Sequence, residues 1–209
     1  MSEMEEIRPY LLFAGLGYLS GSVLYAQIFL RLFRGRDVRT VSEDENPGTA
    51  NAFLGGGAVC GVLALAGDLC KGMLPVQWAL QNCDMRCPWF ALVLAAPVIG
   101  HAWPIFFRFR GGKAIAVSFG VLLGIAPVCP VPLAALAFFY LFFSLVVRIS
   151  PHAWRSIAAF LAAGLAGRAL ALPASLVGGV RLIVLIVCGK HLAALHRNPE
   201  PVRLRLFHS

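Results

Sequence analysis

The residues with the clearest capacity for chemistry form one run, Gly100-His101-Ala102-Trp103-Pro104-Ile105-Phe106-Phe107-Arg108-Phe109-Arg110-Gly111-Gly112-Lys113. Adjacent glycines let backbone N–H groups turn toward an anion, and Arg108, Arg110 and Lys113 bring positive charge. The apolar run that follows would, as a helix, add the partial positive charge of its N-terminus. This is chemistry for holding a phosphate. His101, just ahead of the glycines, can serve as base, hydrogen-bond donor or interfacial anchor. Trp103 and the phenylalanines around it have the character of interfacial aromatics.

Two more clusters carry polar groups into apolar sequence. In the stretch from Arg36 to Asn51, the residues Asn46, Pro47, Gly48 and Asn51 are turn formers and side-chain amides at the mouth of an apolar run. They can hydrogen-bond a polar substrate, or simply stop one helix and cap the next. Asp68 and Lys71 stand three apart, so on a helix they share a face and pair. A charge at the bilayer centre costs about 2.5–3.5 kcal/mol on insertion scales, so the pair should face the protein interior or a polar cavity. It is then either a structural ion pair or part of a site. His152, His196 and His208 read as headgroup or backbone contacts, and His191 does so too on residue type alone.

The elements that must position these groups are membrane helices. The chain of 209 residues is 59% hydrophobic and only 13% charged, with its apolar residues in successive runs rather than on one face of amphipathic helices. Runs near 10–33, 51–66 continuing into 69–80, 88–107, 114–127, 132–147, 156–172 and 174–190 predict about seven spans of an all-α polytopic membrane protein. The 51–80 region is too long for one ordinary span and is expected to be one tilted helix or a broken pair. The whole chain, 1–209, reads as a single integral-membrane domain.

The formal net charge is +8, but the cations sit at the ends of apolar runs, which points to topology signals and lipid headgroups and away from nucleic acid. Basic stretches recur at Arg31–Arg39, Arg108–Lys113, Arg148–Arg155 and Lys190–Arg205, while the intervening loops hold one arginine between them. The consistent topology puts the N-terminus outside and the C-terminus in the cytoplasm. Met1–Glu6 has three glutamates and no basic residue, so no cleaved secretory signal is expected. The six cysteines make no metal-ligand spacing, and no metal is expected. Cys83, Cys87 and Cys129 fall in loops assigned to the outer face, where a disulfide among them can form; Cys60, Cys70 and Cys188 read as small packing residues.

Taken together, these patterns resemble the bacterial acyl-phosphate:glycerol-3-phosphate acyltransferase family over nearly the whole chain. Ser20-Gly21-Ser22 is similar to the family's G-S-x-P start, with Leu24 in the proline place. Asp37-Val38-Arg39 followed by Asn46-Pro47-Gly48-Thr49-Ala50-Asn51 is similar to D-I-R and G-S-G-N-x-G-A-T-N. Asp68-Leu69-Cys70-Lys71-Gly72 matches D-x-x-K-G, and Gly100-His101-Ala102-Trp103-Pro104 through Gly111-Gly112-Lys113, continued by Ser118-Phe119-Gly120, matches G-H-x-F-P and F-K-G-G-K-G.

The resemblance implies an enzyme of the bacterial inner membrane, with its site on the cytoplasmic side, that moves a fatty acyl group from acyl-phosphate to the 1-hydroxyl of glycerol 3-phosphate without a cofactor. The partners it implies are those two substrates and membrane lipids. An acyl-phosphate is a mixed anhydride with a good leaving group, so the protein has to hold two phosphates, align hydroxyl and carbonyl, and stabilise the developing oxyanion. None of the five histidines begins the H-x-x-x-x-D pair of acyl-CoA-using acyltransferases, which favours a departing phosphate that takes the hydroxyl proton itself. By position, His101, Lys113 and Asn51 carry the chemistry. Ser22, Arg39, Asn46, Gly48, Lys71, Gly111, Gly112, Ser118 and His191 contact substrate.

Three departures from the family pattern stand out. Ser42-Glu43-Asp44-Glu45 replaces Gly-Ser-Gly, one residue longer and with three negative charges. A carboxylate opposes a phosphate by about 1 kcal/mol per unit charge at 4 Å in water, unless it points away or holds Mg²⁺. Ala194 occupies the asparagine place of the C-terminal H-x-x-N pattern, and Ala114 the last glycine place of G-G-K-G. These departures admit a paralogue with another acceptor. A scaffold that kept the cavity without turnover, or a small transporter, are the other readings; no internal symmetry of the transporter kind is visible.

Overall fold

The computed structural model describes residues 3–42, 45–169, 172–199 and 201–206. Eight α-helices make up its body: α1 (Glu3–Gly21), α2 (Tyr25–Arg34), α3 (Thr49–Leu80), α4 (Phe90–Ala102), α5 (Ile115–Ile125), α6 (Val131–Leu141), α7 (His152–Ala169) and α8 (Ala174–Arg197). Four segments are long and apolar enough to cross a membrane: Met4–Arg34, Thr49–Leu80, Phe90–Phe107 and Ala174–Arg197. The runs at 114–127 and 132–147 form shorter apolar helices, Ile115–Ile125 and Val131–Val146. The fold is thus a polytopic helical membrane protein. One departure from all-α is a small antiparallel ribbon, β1 (Val147–Ser150) with β2 (Arg203–Leu206), pairing Arg148 with Arg205 and Ile149 with Leu204.

Two predicted spans are broken, and both breaks shape the site. The run at 10–33 stops at Ser22–Leu24 and restarts as α2, which ends on Gly35 in the left-handed region, φ 62°, with its N–H donated to the Arg31 carbonyl. The 51–80 region is a broken pair. Gly57, at φ 80° and ψ −173°, lies in a region essentially closed to side-chain-bearing residues. Thr49 Oγ1 donates to Asp68 Oδ2 at 3.1 Å, although 19 residues of straight helix would put them roughly 28 Å apart. The chain therefore folds back at Gly57, laying a short N-terminal arm against a long arm that ends at Leu80.

Close backbone approach fixes the other crossings. A Cβ on Gly21 would meet the Pro97 carbonyl, and one on Gly100 the Tyr18 carbonyl, so α1 and α4 pack backbone to backbone. The main core, with Phe90, Leu94, Val121, Ile125, Phe160, Leu176 and Ile183, lies among α4, α5, α7 and α8. Cys60 and Cys188 are buried, but Cys70 is exposed on the surface of α3. It is not a packing residue. Cys83, Cys87 and Cys129 are free thiols, half-buried against the main core.

Candidate active site

The site begins with a frame of buried charge. Lys71 Nζ lies 2.7 Å from Asp68 Oδ1, donates to the Val23 carbonyl at 2.6 Å, and sits 2.8 Å from His101 Nδ1. The contact with Asp68 is an ion pair, and an ammonium has only donors. His101 Nδ1 is then the acceptor, and the ring proton is on Nε2. The imidazole is a donor, held in one tautomer. This frame ties the α1–α2 break, the long arm of α3 and the end of α4 together at residues that are almost fully buried.

On that frame sit two loops. After α4 the chain makes a short turn at Ile105–Phe107, then passes through Arg108 and Phe109, both at positive φ, into the glycines. The Gly112 N–H donates to the His101 carbonyl at 3.1 Å, so this amide is spent inside the protein and is not turned to a ligand as the glycine pattern suggested. A Cβ on Gly111 would collide with the His101 carbonyl, and one on Gly112 with the His101 ring. The glycines are needed for close approach. From the other side, Lys190 on α8 donates to the carbonyls of Ala102 at 3.0 Å and Gly111 at 3.3 Å and lies over the Trp103 ring.

The loop before α3 is pinned by side chains. Asn51, nearly buried, donates to Ser42 Oγ at 2.7 Å and to the Asn46 carbonyl at 2.8 Å. Asp37 caps the short turn Val38–Thr40 by accepting from the Arg39 N–H at 2.9 Å. The Arg39 guanidinium then reaches across to donate to the Arg110 carbonyl at 2.9 Å, joining this loop to the glycine loop.

Between the loops are two cavities. A polar one of about 540 Å³ is lined by Arg39, Arg110, Lys113, Lys190 and Arg197, with Glu45 the one carboxylate among the described residues that line it. An apolar one of about 640 Å³ runs past Leu54, Leu65, Leu69, Ile115 and Phe119, and carries Asp68, His101, Lys113, His152 and Arg155 at its polar parts. Asn46 and Lys113 line both. The first suits a phosphate, the second a long alkyl chain with a charged head. Among the described residues no three His, Cys, Asp or Glu side chains cluster as metal ligands do.

The model of the glycerol-3-phosphate acyltransferase family matches residues 11–199. The chain belongs to that family. A glycerol-3-phosphate acyltransferase of Albidiferax ferrireducens is 38% identical over 137 residues, 62% of this chain and 61% of the relative. One from Klebsiella pneumoniae is 42% identical over 119 residues, 57% and 56% of the two chains. One from Methylobacillus flagellatus is 37% identical over 149 residues, 71% of each. The chain thus spans about three fifths of the length of the first two. Crystal structures of PlsY, an integral membrane glycerol 3-phosphate acyltransferase, superpose over 90% of both chains. The TM-score is 0.77 at 25% identity for the glycerol 3-phosphate form and 0.74 at 24% for the lysophosphatidic acid form.

Within this acyltransferase family member, the residues singled out by sequence divide into two groups. Arg39, Asn46, Gly48, Asn51, His101, Gly111 and Lys113 line one or both cavities. Lys71, Ser22, Gly112, Ser118 and His191 stand behind them. Lys71 is held by the Asp68 ion pair, the Val23 carbonyl and His101, and Ser22 Oγ donates to the Tyr18 carbonyl at 2.8 Å and accepts the Ile105 N–H at 3.3 Å. Ser118 Oγ donates to the Ala114 carbonyl at 2.7 Å, steadying a residue at φ 62° in the last glycine place of the family pattern. His191 is fully buried with Nδ1 2.8 Å from the Val187 carbonyl. Glu43 and Asp44 of the acidic insert lie outside the described residues, as does His208.

Lys190, Arg197, Tyr140 and Arg155 line the cavities without having been singled out, and His152, read from the sequence as a headgroup or backbone contact, lines the apolar one beside Lys113. One signal was present: Lys190, Ala193, Ala194 and Arg197 recur at helical spacing on one face of α8. His152 and Arg155 share a face in the same way, at i and i+3.

Proposed function

We propose that this protein transfers a fatty acyl group from acyl-phosphate to the 1-hydroxyl of glycerol 3-phosphate, releasing inorganic phosphate and giving lysophosphatidic acid for phospholipid synthesis. The observation that carries this reading is the meeting of a cationic cavity and an apolar cavity at Lys113 and Asn46. Glycerol 3-phosphate occupies the polar cavity, its phosphate against Arg39, Lys190 and Arg197. The alkyl chain of acyl-phosphate lies along Leu65, Ile115 and Phe119, with its phosphate at Lys113. The hydroxyl oxygen attacks the carbonyl carbon, the bond from that carbon to the phosphate oxygen breaks, and the departing phosphate takes the hydroxyl proton. Lys113 and the Nε2–H of His101 stabilise charge on the anhydride as it develops.

The reaction takes place at the cytoplasmic face of the bacterial inner membrane, in one integral-membrane unit with its N-terminus outside and its C-terminus inside. A second reading, transfer to another phosphate-bearing alcohol, is favoured by Glu45 in the wall of the polar cavity and by Ala194 beside it. The test is purified protein with labelled palmitoyl phosphate, offered glycerol 3-phosphate or other phosphorylated alcohols, with acyl-CoA and acyl carrier protein donors as controls. Lysophosphatidic acid formed from acyl-phosphate alone is the expected result. Turnover only with another acceptor supports the second reading, and no turnover with any acceptor overturns both.

A further inference from the structure

The histidine at the start of α7 lines the apolar cavity instead of meeting a headgroup. His152 Nε2 lies 3.3 Å from Lys113 Nζ, and both side chains line the apolar cavity. An ammonium has only donors, so the imidazole nitrogen facing it is the acceptor and the ring proton is on Nδ1. Behind His152 stands His191, ring centroids 6.4 Å apart and nearly perpendicular. The Nδ1–H of His191 donates to the Val187 carbonyl, which fixes that ring to the backbone of α8. The order from the cavity inward is therefore Lys113, His152, His191, α8.

Position gives this chain of contacts its consequence. Among the described residues, Lys113 is the one cation that lines both cavities. Its long side chain has many rotamers, and an ammonium that strays by about 1 Å from the reacting phosphate can cost about 100-fold in rate. The neighbouring residue on α8, Lys190, holds the Gly111 carbonyl. Two consecutive residues of one helix thus steady the loop at Gly111 and at Lys113.

We propose that His152 is a positioning residue of the acyl-transfer site, fixing the Lys113 ammonium at the neck between the two cavities by accepting its hydrogen bond. This rests on the acyl-transfer reading above. Gln places an amide oxygen near the Nε2 position, Phe fills the ring's space without an acceptor, and Ala removes both. Steady-state rates with palmitoyl phosphate and glycerol 3-phosphate should show kcat of His152→Gln within about 5-fold of the wild type. His152→Phe and His152→Ala should lose about 100-fold, with the KM for glycerol 3-phosphate little changed. If the Phe variant does not melt cooperatively, Gln against Ala makes the same comparison.

A second measurement needs no turnover. Inorganic phosphate should protect Lys113 from an amine-reactive ester at similar concentrations in the wild type and His152→Gln, and only at roughly tenfold higher concentration in His152→Phe and His152→Ala. Equal loss in Gln and Ala, or full activity and protection in Phe, overturns the positioning role. An inactive wild type whose variants still differ in phosphate protection overturns the acyl-transfer reading alone.

Discussion

The two cavities differ in how their walls are built as well as in polarity. The polar cavity is walled by long side chains: Arg39, Arg110, Lys190 and Arg197 converge from two loops and from α8, with Glu45 among them. The apolar cavity is walled by helix surfaces, the two arms of α3 folded at Gly57 and the start of α5. A wall of flexible charges adapts to the size and charge of its ligand, so small changes there retune the acceptor. A wall of packed helices has one shape, so a change that breaks the fold there damages the whole site, while a bulkier side chain within it shortens the alkyl chain it can hold. Lys113 belongs to both and should be the most sensitive position.

The largest expected effect is therefore at Lys113. Lys113→Ala should lower kcat about 1000-fold, the range seen when a main electrostatic donor is removed, with the melting temperature close to wild type. A kcat unchanged in a folded variant would separate the cavities from catalysis altogether. Next is the fold-back of α3. Gly57→Ala forces a side chain into backbone space closed to it, at a cost of about 1–3 kcal/mol, and moves Thr49 away from Asp68. Its melting temperature should fall and its KM should rise for both substrates. A shift for one substrate alone would show that the arm serves one cavity.

Smaller changes should separate the cavities. Arg197→Gln removes one charge from the polar wall and should raise the KM for glycerol 3-phosphate about 10-fold, the equivalent of about 1.4 kcal/mol, while the preferred acyl-chain length stays as in the wild type. Ala116→Phe in the apolar cavity should do the reverse, shortening the preferred chain and leaving that KM alone. The smallest effect is at Glu45, which is exposed. Glu45→Gln should lower the KM for glycerol 3-phosphate about 3-fold at low salt, less at high salt, since a carboxylate near a phosphate costs about 1 kcal/mol in water and is screened. A rise in KM would mean that Glu45 recognises the acceptor.

Legibility in the sequence followed the range of the interactions. Apolar runs announced the helices because the bilayer demands length, and Asp68 and Lys71 announced their pairing because three residues is one helical turn. The fold-back at Gly57 lay hidden within Gly55-Gly56-Gly57, since three glycines in a row do not say which one turns. Gly112 matched a phosphate-loop pattern, yet its amide goes to the His101 carbonyl, a partner eleven residues away across a turn. His152 and Lys190 reach Lys113 and Gly111 only because α7 and α8 pack where they do. Local spacing puts Lys190 on a face with Arg197 and His152 on a face with Arg155, but says nothing of what those faces meet.

The most direct test of the two-cavity account is an experimental structure with glycerol 3-phosphate and a non-transferable acyl-phosphonate bound together. The account predicts the glycerol phosphate against Arg39, Lys190 and Arg197, the alkyl chain along Leu65 and Phe119, and the phosphonate and the acceptor hydroxyl meeting at Lys113. Both phosphorus atoms in the polar cavity, or an alkyl chain lying outside the α3 fold, would contradict it.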